Sequence, residues 1–170
     1  DNEAIAKSLM HIGLSFSRLN KHEKALEFYF KAYLTRKRLF GETRDHEDVA
    51  KSLYCIGISY KILNQHETAL DYYFKAYEMY KRLFGERDNE VIALFLNNIG
   101  LSYSKLNQHE KALEYFLKLY EMQKRLFGET RDHPSIRASL KAIIDLYHKL
   151  NDKTNHAKYN KILNTSFVKS

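Results

Sequence analysis

The stretch Lys37-Arg38-Leu39-Phe40-Gly41-Glu42 occurs three times in the chain and reveals its organisation. It returns as Lys81-Arg82-Leu83-Phe84-Gly85-Glu86 and again as Lys124-Arg125-Leu126-Phe127-Gly128-Glu129. The three glycines stand at positions 41, 85 and 128, so the repeat is 44 and then 43 residues long. Periods of this size are typical of stacked two-helix units. The sequence therefore predicts a tandem-repeat protein that presents a surface, without identifying what binds there.

The composition of the 170 residues is that of an ordered, helix-forming chain, with 44% hydrophobic and 29% charged residues, 6 Gly and 1 Pro. No apolar run approaches the roughly 18 residues of a transmembrane helix, so no membrane contact is predicted. A single cysteine excludes an intrachain disulfide and favours a reducing, cytoplasmic location. The net charge of +7 favours acidic partners. The start Asp1-Asn2-Glu3-Ala4 is neither a signal peptide nor a methionine start, which suggests a piece of a longer protein.

Two amphipathic helical patterns alternate along the chain. In the first, an apolar face over about Asn2 to Leu19 recurs one and two periods later. The second pattern runs from about His22 to Phe40, His66 to Phe84 and His109 to Phe127, with alanines where another helix must approach closely. The last copy of the second pattern, about Lys153 to Leu163, is degenerate and predicts a short, weakly held helix. The face residues of the first pattern are Leu9, Ile12, Gly13 and Phe16, then Leu53, Ile56, Gly57 and Tyr60, then Leu96, Ile99, Gly100 and Tyr103.

Residues with known capping preferences bound these helices. Aspartates precede each copy of the first pattern and are predicted to be N-caps, because a carboxylate accepts the unpaired amide hydrogens of a first turn. Asparagines follow each copy and are predicted in the left-handed conformation that ends many helices. Glycines are predicted to end the second helices with a positive φ. The predicted caps are Asp1, Asp45, Asp88 and Asp132, then Asn20, Asn64, Asn107 and Asn151, then Gly41, Gly85 and Gly128.

These patterns resemble the tetratricopeptide repeat. Its order of large apolar residue, Leu, Gly, Tyr, Ala, aromatic and Ala is matched by Leu53, Ile56, Gly57, Tyr60, Ala69, Tyr73 and Ala76. The closest resemblance is to the longer repeats of kinesin light chains, on Leu96-Asn97-Asn98-Ile99-Gly100 and Asp132-His133-Pro134. Two features depart from the family pattern: lysine replaces the terminal proline, so the second helix should gain about a turn, and the loops between repeats are longer. The lysines in question are Lys37, Lys81 and Lys124.

The resemblance implies an all-α fold, a right-handed superhelical solenoid of four helix pairs. We expect a single domain over residues 1–170, with repeats at about 1–44, 45–87, 88–131 and 132–170, the last acting as a cap. In such a solenoid the first helix of each pair lines the concave side. Positions there differ between repeats, which suits either a ligand-binding surface or neutral variation of exposed residues. The predicted partner-binding residues are Lys7, Met10, Leu14, Arg18, Lys51, Tyr54, Ile58, Lys61, Leu94, Asn97, Asn98, Leu101, Lys105 and Lys141.

The sequence offers no catalytic, cofactor or metal site. His22, His66 and His109 recur at one repeat position without a neighbouring Cys/His cluster, so structural roles are favoured over metal binding. Cys55 lacks a fixed His or Asp neighbour and is interpreted as a buried or groove-lining thiol. The recurring aromatic residues are interpreted as core, so no specific nucleic-acid binding is predicted.

Two functions from different classes remain open. The first is a non-enzymatic interaction scaffold whose concave basic groove binds an extended or helical acidic peptide. The second is weak head-to-tail self-association, because the exposed face of the first repeat resembles the faces buried at internal joints. A charge-dependent peptide interaction and a concentration-dependent mass would distinguish them.

Overall fold

The computed structural model describes residues 2–85, 87–128 and 133–165, and within them the chain forms eight α-helices and no strands. They are joined by short turns, and consecutive helices form the pairs that the repeats predict. We call α1, α3, α5 and α7 the first helices and α2, α4, α6 and α8 the second helices. Their bounds are α1 Asn2–Arg18, α2 His22–Phe40, α3 Glu47–Ile62, α4 His66–Phe84, α5 Glu90–Lys105, α6 His109–Phe127, α7 Pro134–Lys149 and α8 Lys153–Asn164.

The helices fall into two compact units, Asp1–Arg87 and Asp88–Ser170, called unit 1 and unit 2. Unit 1 contains α1 to α4, and α2 packs on α1 and α3. Unit 2 contains α5 to α8, and α6 packs on α5 and α7 in the same way. The division falls where the second and third repeats are predicted to meet, and the finer division into four repeats of one domain stays a prediction.

The core of each of the first three pairs is a close crossing of its two helices. In unit 1 the ring of Tyr73 is 0% exposed and lies against Gly57, where an added Cβ would be 2.7 Å from ring atoms Cδ1 and Cε1. Gly13 meets Tyr29 in the same way, and Ala25 and Ala69 are fully buried beside these crossings. Small residues on one helix thus let an aromatic ring of the other lie almost on its backbone.

The turn inside each pair is the one predicted from asparagine. Asn20, Asn64, Asn107 and Asn151 have φ of 55°, 59°, 57° and 56°, in the left-handed region. The next residue donates its amide hydrogen to a carbonyl five residues back, as in Lys21 N to Phe16 O at 2.9 Å, which satisfies a terminal carbonyl of the first helix. The glycines that end α2, α4 and α6 also have positive φ, as predicted.

The predicted aspartate N-caps are wrong where they can be checked. The helices begin one residue later, and the caps are His46, Asn89 and His133, whose side chains accept from Asp48 N, Val91 N and Ser135 N. Asp45 and Asp88, which precede these caps, are each paired with an arginine. Arg82 donates from Nε and Nη2 to both carboxylate oxygens of Asp45 at 2.6 and 2.9 Å, and Arg125 binds Asp88 with the same distances. Asp1 and Asp132 lie outside the described residues.

The last helix is short, as predicted. Helix α8 has 12 residues, and none of them is buried. It is held at its start by Asp152, which accepts from Asn155 N at 3.0 Å, and by stacking of Tyr159 on Tyr147 of α7.

The glycine crossing makes a stability prediction. The substitution Gly57→Ala should destabilise unit 1 by about 1–3 kcal/mol, because the buried ring of Tyr73 cannot move away from a new methyl group. The gain in helix propensity, about 1 kcal/mol, offsets only part of this cost. The matched variant is Gly100→Ala, where the nearest atom, Phe116 Cε2, lies 3.0 Å from the added Cβ, so a smaller loss is expected. Urea unfolding measures both, and an equal or stabilising effect of Gly57→Ala would contradict the packing argument.

The bidentate ion pair of Asp45 with Arg82 predicts how stability depends on pH. The hydrogen bonds from Arg82 lower the pKa of Asp45, so the pair stabilises the fold above the unfolded carboxyl pKa of about 3.9 and loses this effect as the pH falls through the lower folded pKa. The variant Asp45→Asn should therefore lower the free energy of unfolding by less than about 1 kcal/mol at pH 7, since the pair is exposed. The difference from the parent protein should vanish at low pH. Urea unfolding at both pH values tests this, with Asp71→Asn as the charge control, and an Asp45→Asn loss independent of pH would refute it.

Candidate functional site

The first helices of unit 1 present most of the predicted partner-binding residues to solvent. On α1 the side chains of Lys7, Leu14 and Arg18 are exposed, and so is Lys51 on α3. The α3 residues Tyr54, Ile58 and Lys61 are half-buried. The structure thus leaves a strip of basic and apolar side chains along α1 and α3.

The exposure predicted for Met10 is wrong. Its side chain is only 9% exposed and packs in a core cluster on the α2 side of α1. Its sulfur accepts a weak hydrogen bond from Ser52 Oγ at 3.7 Å. The buried members of this cluster are Met10, Ala25, Leu26, Tyr29, Ala32 and Ile56.

Several of the basic residues in unit 1 carry their own counter-charges. Lys7 Nζ lies 2.5 Å from Glu3 Oε1, and Lys51 Nζ lies 2.7 Å from Glu47 Oε1. Burial lowers the pKa of Lys61, so its ammonium group is held less favourably than an exposed one. The charges available to a partner in unit 1 are therefore weaker than the number of lysines suggests.

A buried arginine lies between α1, α2 and α3. Arg36 is 6% exposed, and its Nη1 donates to Asp48 O at 2.8 Å and to Ser52 Oγ at 2.7 Å. Its Nη2 lies 3.8 Å from Asp48 Oδ1. Burial lowers the pKa of Arg36, opposed by the charge of Asp48, yet a guanidinium remains charged under all ordinary conditions. The interior of unit 1 thus contains a complete binding site for a guanidinium group.

In unit 2 the predicted residues form a stripe along α5. Leu94 and Leu101 are 52% and 37% exposed, and Lys105 is exposed one turn further on. Asn97 is half-buried between the two leucines. These positions follow helical spacing and lie on one side of α5. On α7, the side chain of Lys141 is exposed as well.

The exposure predicted for Asn98 is also wrong. It is 6% exposed, and its Nδ2 donates to the carbonyl oxygen of Leu94 at 3.0 Å, one turn back on its own helix. Its neighbour Asn97 remains accessible because successive helical residues point about 100° apart.

A cavity of about 510 Å³ opens beside this stripe, between α5, α6 and α7. Its walls combine apolar side chains with polar groups, and the described lining residues include one carboxylate, that of Glu90. The buried Gln123 lies at its base, where Gln123 Oε1 accepts from Ser139 Oγ at 2.7 Å. The lining residues are Glu90, Ala93, Leu94 and Asn97 of α5, Leu119, Gln123 and Phe127 of α6, and His133, Ser135, Ala138 and Ser139 around the start of α7.

Of the cavity residues, only Leu94 and Asn97 were predicted from the sequence to bind a partner. The contribution of the second helix was missed because the second helices were interpreted as packing helices alone. The signal was available in the position five residues before each repeat glycine, which is Arg36, Tyr80 and then Gln123 in otherwise similar helices. Variation of this kind at a buried position indicates that the joint between repeats is not uniform.

Other chemistry has little support in the described part of the chain. Burial raises the pKa of the Cys55 thiol to about 11, so a reactive thiolate is scarce at neutral pH. Over the described ranges, no group of three or more His, Cys, Asp or Glu residues could hold a metal ion. None of the eight helices is both long and apolar enough to cross a bilayer.

Comparison with solved structures finds repeat proteins of the same fold. The structure is similar to BtubC (BKLC) from P. vanneervenii, with a TM-score of 0.77 and 16% identity over 98% of this chain and 63% of that chain. It is similar to kinesin light chain TPR-like repeats from Podosopora anserina, with a TM-score of 0.76 and 12% identity over 95% of this chain and 74% of that chain. A third similar structure is the Rap conjugation gene regulator of the plasmid pLS20 in complex with the Phr* peptide. Its TM-score is 0.66 and its identity 16%, over 95% of this chain and 41% of that chain.

At these identities the likeness shows the fold alone, and the chain spans less than two thirds of the BtubC and Rap chains. A comparison of the sequence with curated proteins returned no match. A family profile described as tetratricopeptide repeat matches residues 4–82 and 48–125, which together are more than half of the chain. The all-α fold of paired helices agrees with that match, and the chain belongs to the tetratricopeptide repeat family.

Proposed function

We propose that this chain is a non-enzymatic interaction scaffold that binds an extended or helical acidic peptide segment of a partner protein along its first helices. The observation that carries the proposal is the stripe on α5, where Leu94 and Leu101 are exposed two turns apart on one side of the helix and Lys105 follows one turn later. Exposed leucines in helical spacing, bordered by charge, are suited to peptide capture. A peptide-bound Rap regulator of the same fold supports this class of ligand.

The charges that would favour an acidic segment are those of Arg18 in unit 1 and of Lys105 and Lys141 in unit 2, all exposed. In contrast, Lys7 and Lys51 are paired with glutamates on their own helices. We therefore expect Lys105 and Lys141 to contribute more to partner selection than the lysines of unit 1. Such exposed charges act mainly on association rate and specificity, and salt weakens them.

A peptide library selected on the protein should be enriched in acidic segments. For a selected peptide, the double substitution Lys105→Glu with Lys141→Glu should weaken binding roughly three- to tenfold at low salt, and less at high salt. Fluorescence anisotropy measures this. The double control Lys153→Glu with Lys161→Glu makes the same charge change at exposed positions of α8 and should leave binding within about twofold.

Selection without acidic enrichment, or reversals at Lys105 and Lys141 that leave affinity unchanged, would overturn the proposal. A filter assay with single- and double-stranded probes distinguishes a nucleic-acid ligand, whose binding would fall steeply with salt.

A second candidate function, head-to-tail self-association, is favoured by the face of α1. Ile5 and Ile12 are 51% and 40% exposed. Their equivalents on α3 are Val49 and Ile56, which are 1% and 0% exposed in unit 1, where α2 packs on α3. The outer face of α1 therefore matches a surface that a second helix covers inside the same unit. A second copy of the chain could cover the outer face of α1 with one of its own second helices. Such head-to-tail contacts tend to form open chains.

Sedimentation velocity over a concentration range tests this second candidate. The expected result is a weight-average mass that rises with concentration and returns to monomer in the variant Ile5→Lys, because a charge at a half-exposed position opposes burial without disturbing the core. The matched variant Leu34→Lys changes an exposed leucine of α2, which is 49% exposed, and should leave the mass unchanged. A monomer at all concentrations would eliminate self-association.

A further inference from the structure

The cavity of unit 2 and the Arg36 site of unit 1 occupy the same place in their repeats. Gln123 and Arg36 each stand five residues before a repeat glycine, at Gly128 and Gly41. Ser139 and Ser52 each stand seven residues after a repeat aspartate, and both contact the second-helix residue in question. The two sites therefore share a framework, which is a second-helix residue bonded to a serine of the next first helix. They differ in what fills the space around it.

In unit 1 the framework is filled by the chain itself. The Arg36 side chain reaches from α2 to α3, and its guanidinium is held by the Asp48 carbonyl, the Ser52 hydroxyl and the Asp48 carboxylate. The charge of Glu3, on α1, also favours the charged form of Arg36. A cation at this place is thus stabilised from both neighbouring first helices.

In unit 2 the same place is left open. Gln123 is shorter than arginine, carries no charge and bonds to Ser139, and about 510 Å³ remains between the three helices. Ser135 replaces Asp48, and Asn97 replaces the core residue Met10. The opening therefore follows from substitutions at positions that are filled in unit 1.

The charge of the cavity favours a cation. Among the lining residues that the structure describes there is no lysine or arginine, and Glu90 carries the one carboxylate. Glu90 is the repeat equivalent of Glu3, each lying two residues after a repeat aspartate. At the start of α7, Pro134 has no amide hydrogen and that of Ser135 is donated to His133 Nδ1 at 3.3 Å, so two of the first amides are not open to a ligand.

The walls fit the rest of an arginine side chain. Ala93, Leu119 and Ala138 provide apolar surface against which methylene groups can lie, and Phe127 adds an aromatic ring. Asn97, Gln123 and Glu90 provide polar atoms for a planar, multidentate donor. A purely aliphatic side chain would displace water from Asn97 and Glu90 without replacing its hydrogen bonds, which is costly.

We propose that the unit 2 cavity binds the side chain of an arginine supplied by the partner peptide, in the place that Arg36 takes in unit 1. This rests on the proposed function, that the first helices bind a peptide. The partner segment then carries one arginine over the cavity and acidic residues toward Lys105 and Lys141. Binding places the charged side chain in the cavity through non-covalent contacts alone.

The test uses capped tripeptides on the complete chain. Acetyl-Gly-Arg-Gly-amide is titrated against protein with labelled Leu and Ala methyl groups, and NMR shifts are expected at Leu94, Leu119 and Ala138. The citrulline tripeptide has the same shape without the charge and should bind at least about fivefold more weakly, as should the norleucine and glutamate tripeptides.

Two variants of the protein locate the site. Gln123→Arg supplies the guanidinium from α6, as Arg36 does in unit 1, and should abolish the shifts while circular dichroism stays unchanged. Glu90→Gln should weaken the arginine tripeptide about fivefold. The control Glu114→Gln removes an exposed carboxylate from α6 outside the cavity and should have no effect.

Any one of three results would overturn the proposal. These are equal NMR shifts with the arginine and citrulline tripeptides, a preference for the glutamate tripeptide, and an unchanged response in the variant Gln123→Arg. These outcomes are separable from failure of the proposed function. Acidic library peptides that still lose affinity on reversal of Lys105 and Lys141 would leave the scaffold proposal standing while the arginine site falls. If the arginine tripeptide produces these NMR shifts but the library yields no acidic peptide, the arginine site stands and the acidic-peptide scaffold proposal falls.

Discussion

The close crossing of a glycine on a first helix with an aromatic ring on its second helix is the constraint on which this structure depends. At Gly57 the ring of Tyr73 lies where any side chain would collide, and Gly13 meets Tyr29 in the same way. Such an approach brings the two helices of a pair into contact along their length, so the angle between them is set by packing and not by the turn. The alanines next to the crossing are fully buried and extend the same contact.

Because the pairs are held in this way, the joints between pairs are free to differ. The position occupied by Arg36 in unit 1 and by Gln123 in unit 2 lies away from the glycine crossing, and each residue reaches a serine on the following first helix. One joint is thereby filled by a charged side chain and the other is left with a cavity. Repeats that share a framework can thus carry different sites, which is how a repeat protein acquires a surface specific to one partner.

The sequence predicted what depends on local interactions. The bounds of the second helices, the left-handed asparagines and the positive-φ glycines were all correct, because each depends on residues within one or two turns. The aspartate caps were wrong because Asp45 pairs with Arg82, 37 residues away, and local preference does not register a partner at that distance. A helix that starts one residue later then takes His46 as its cap.

The candidate site was predicted less completely, for a related reason. Helical spacing assigns one face to all repeats, but burial at one repeat position differs between them. Met10 is buried while its equivalent Asn97 is half-buried, and Asn98 is buried while its equivalent His11 is exposed. The cavity itself depends on three helices, and its floor residue Gln123 belongs to the second helix, which the sequence analysis treated as packing alone. Only the assembled joint shows that a shorter side chain there leaves space.

The difference between the two joints also has an energetic consequence. Arg36 belongs to the same chain as Asp48 and Ser52, which hold it, so its guanidinium binds without loss of translational freedom, and a few hydrogen bonds are enough to keep it buried. An arginine from a separate peptide must overcome that loss, which is several kcal/mol, before the same contacts show as affinity. The cavity alone would therefore hold its ligand weakly. For the proposed arginine site, the exposed leucines of α5 and Lys105 would have to supply the remaining binding energy, so we expect the cavity to act only together with the α5 stripe.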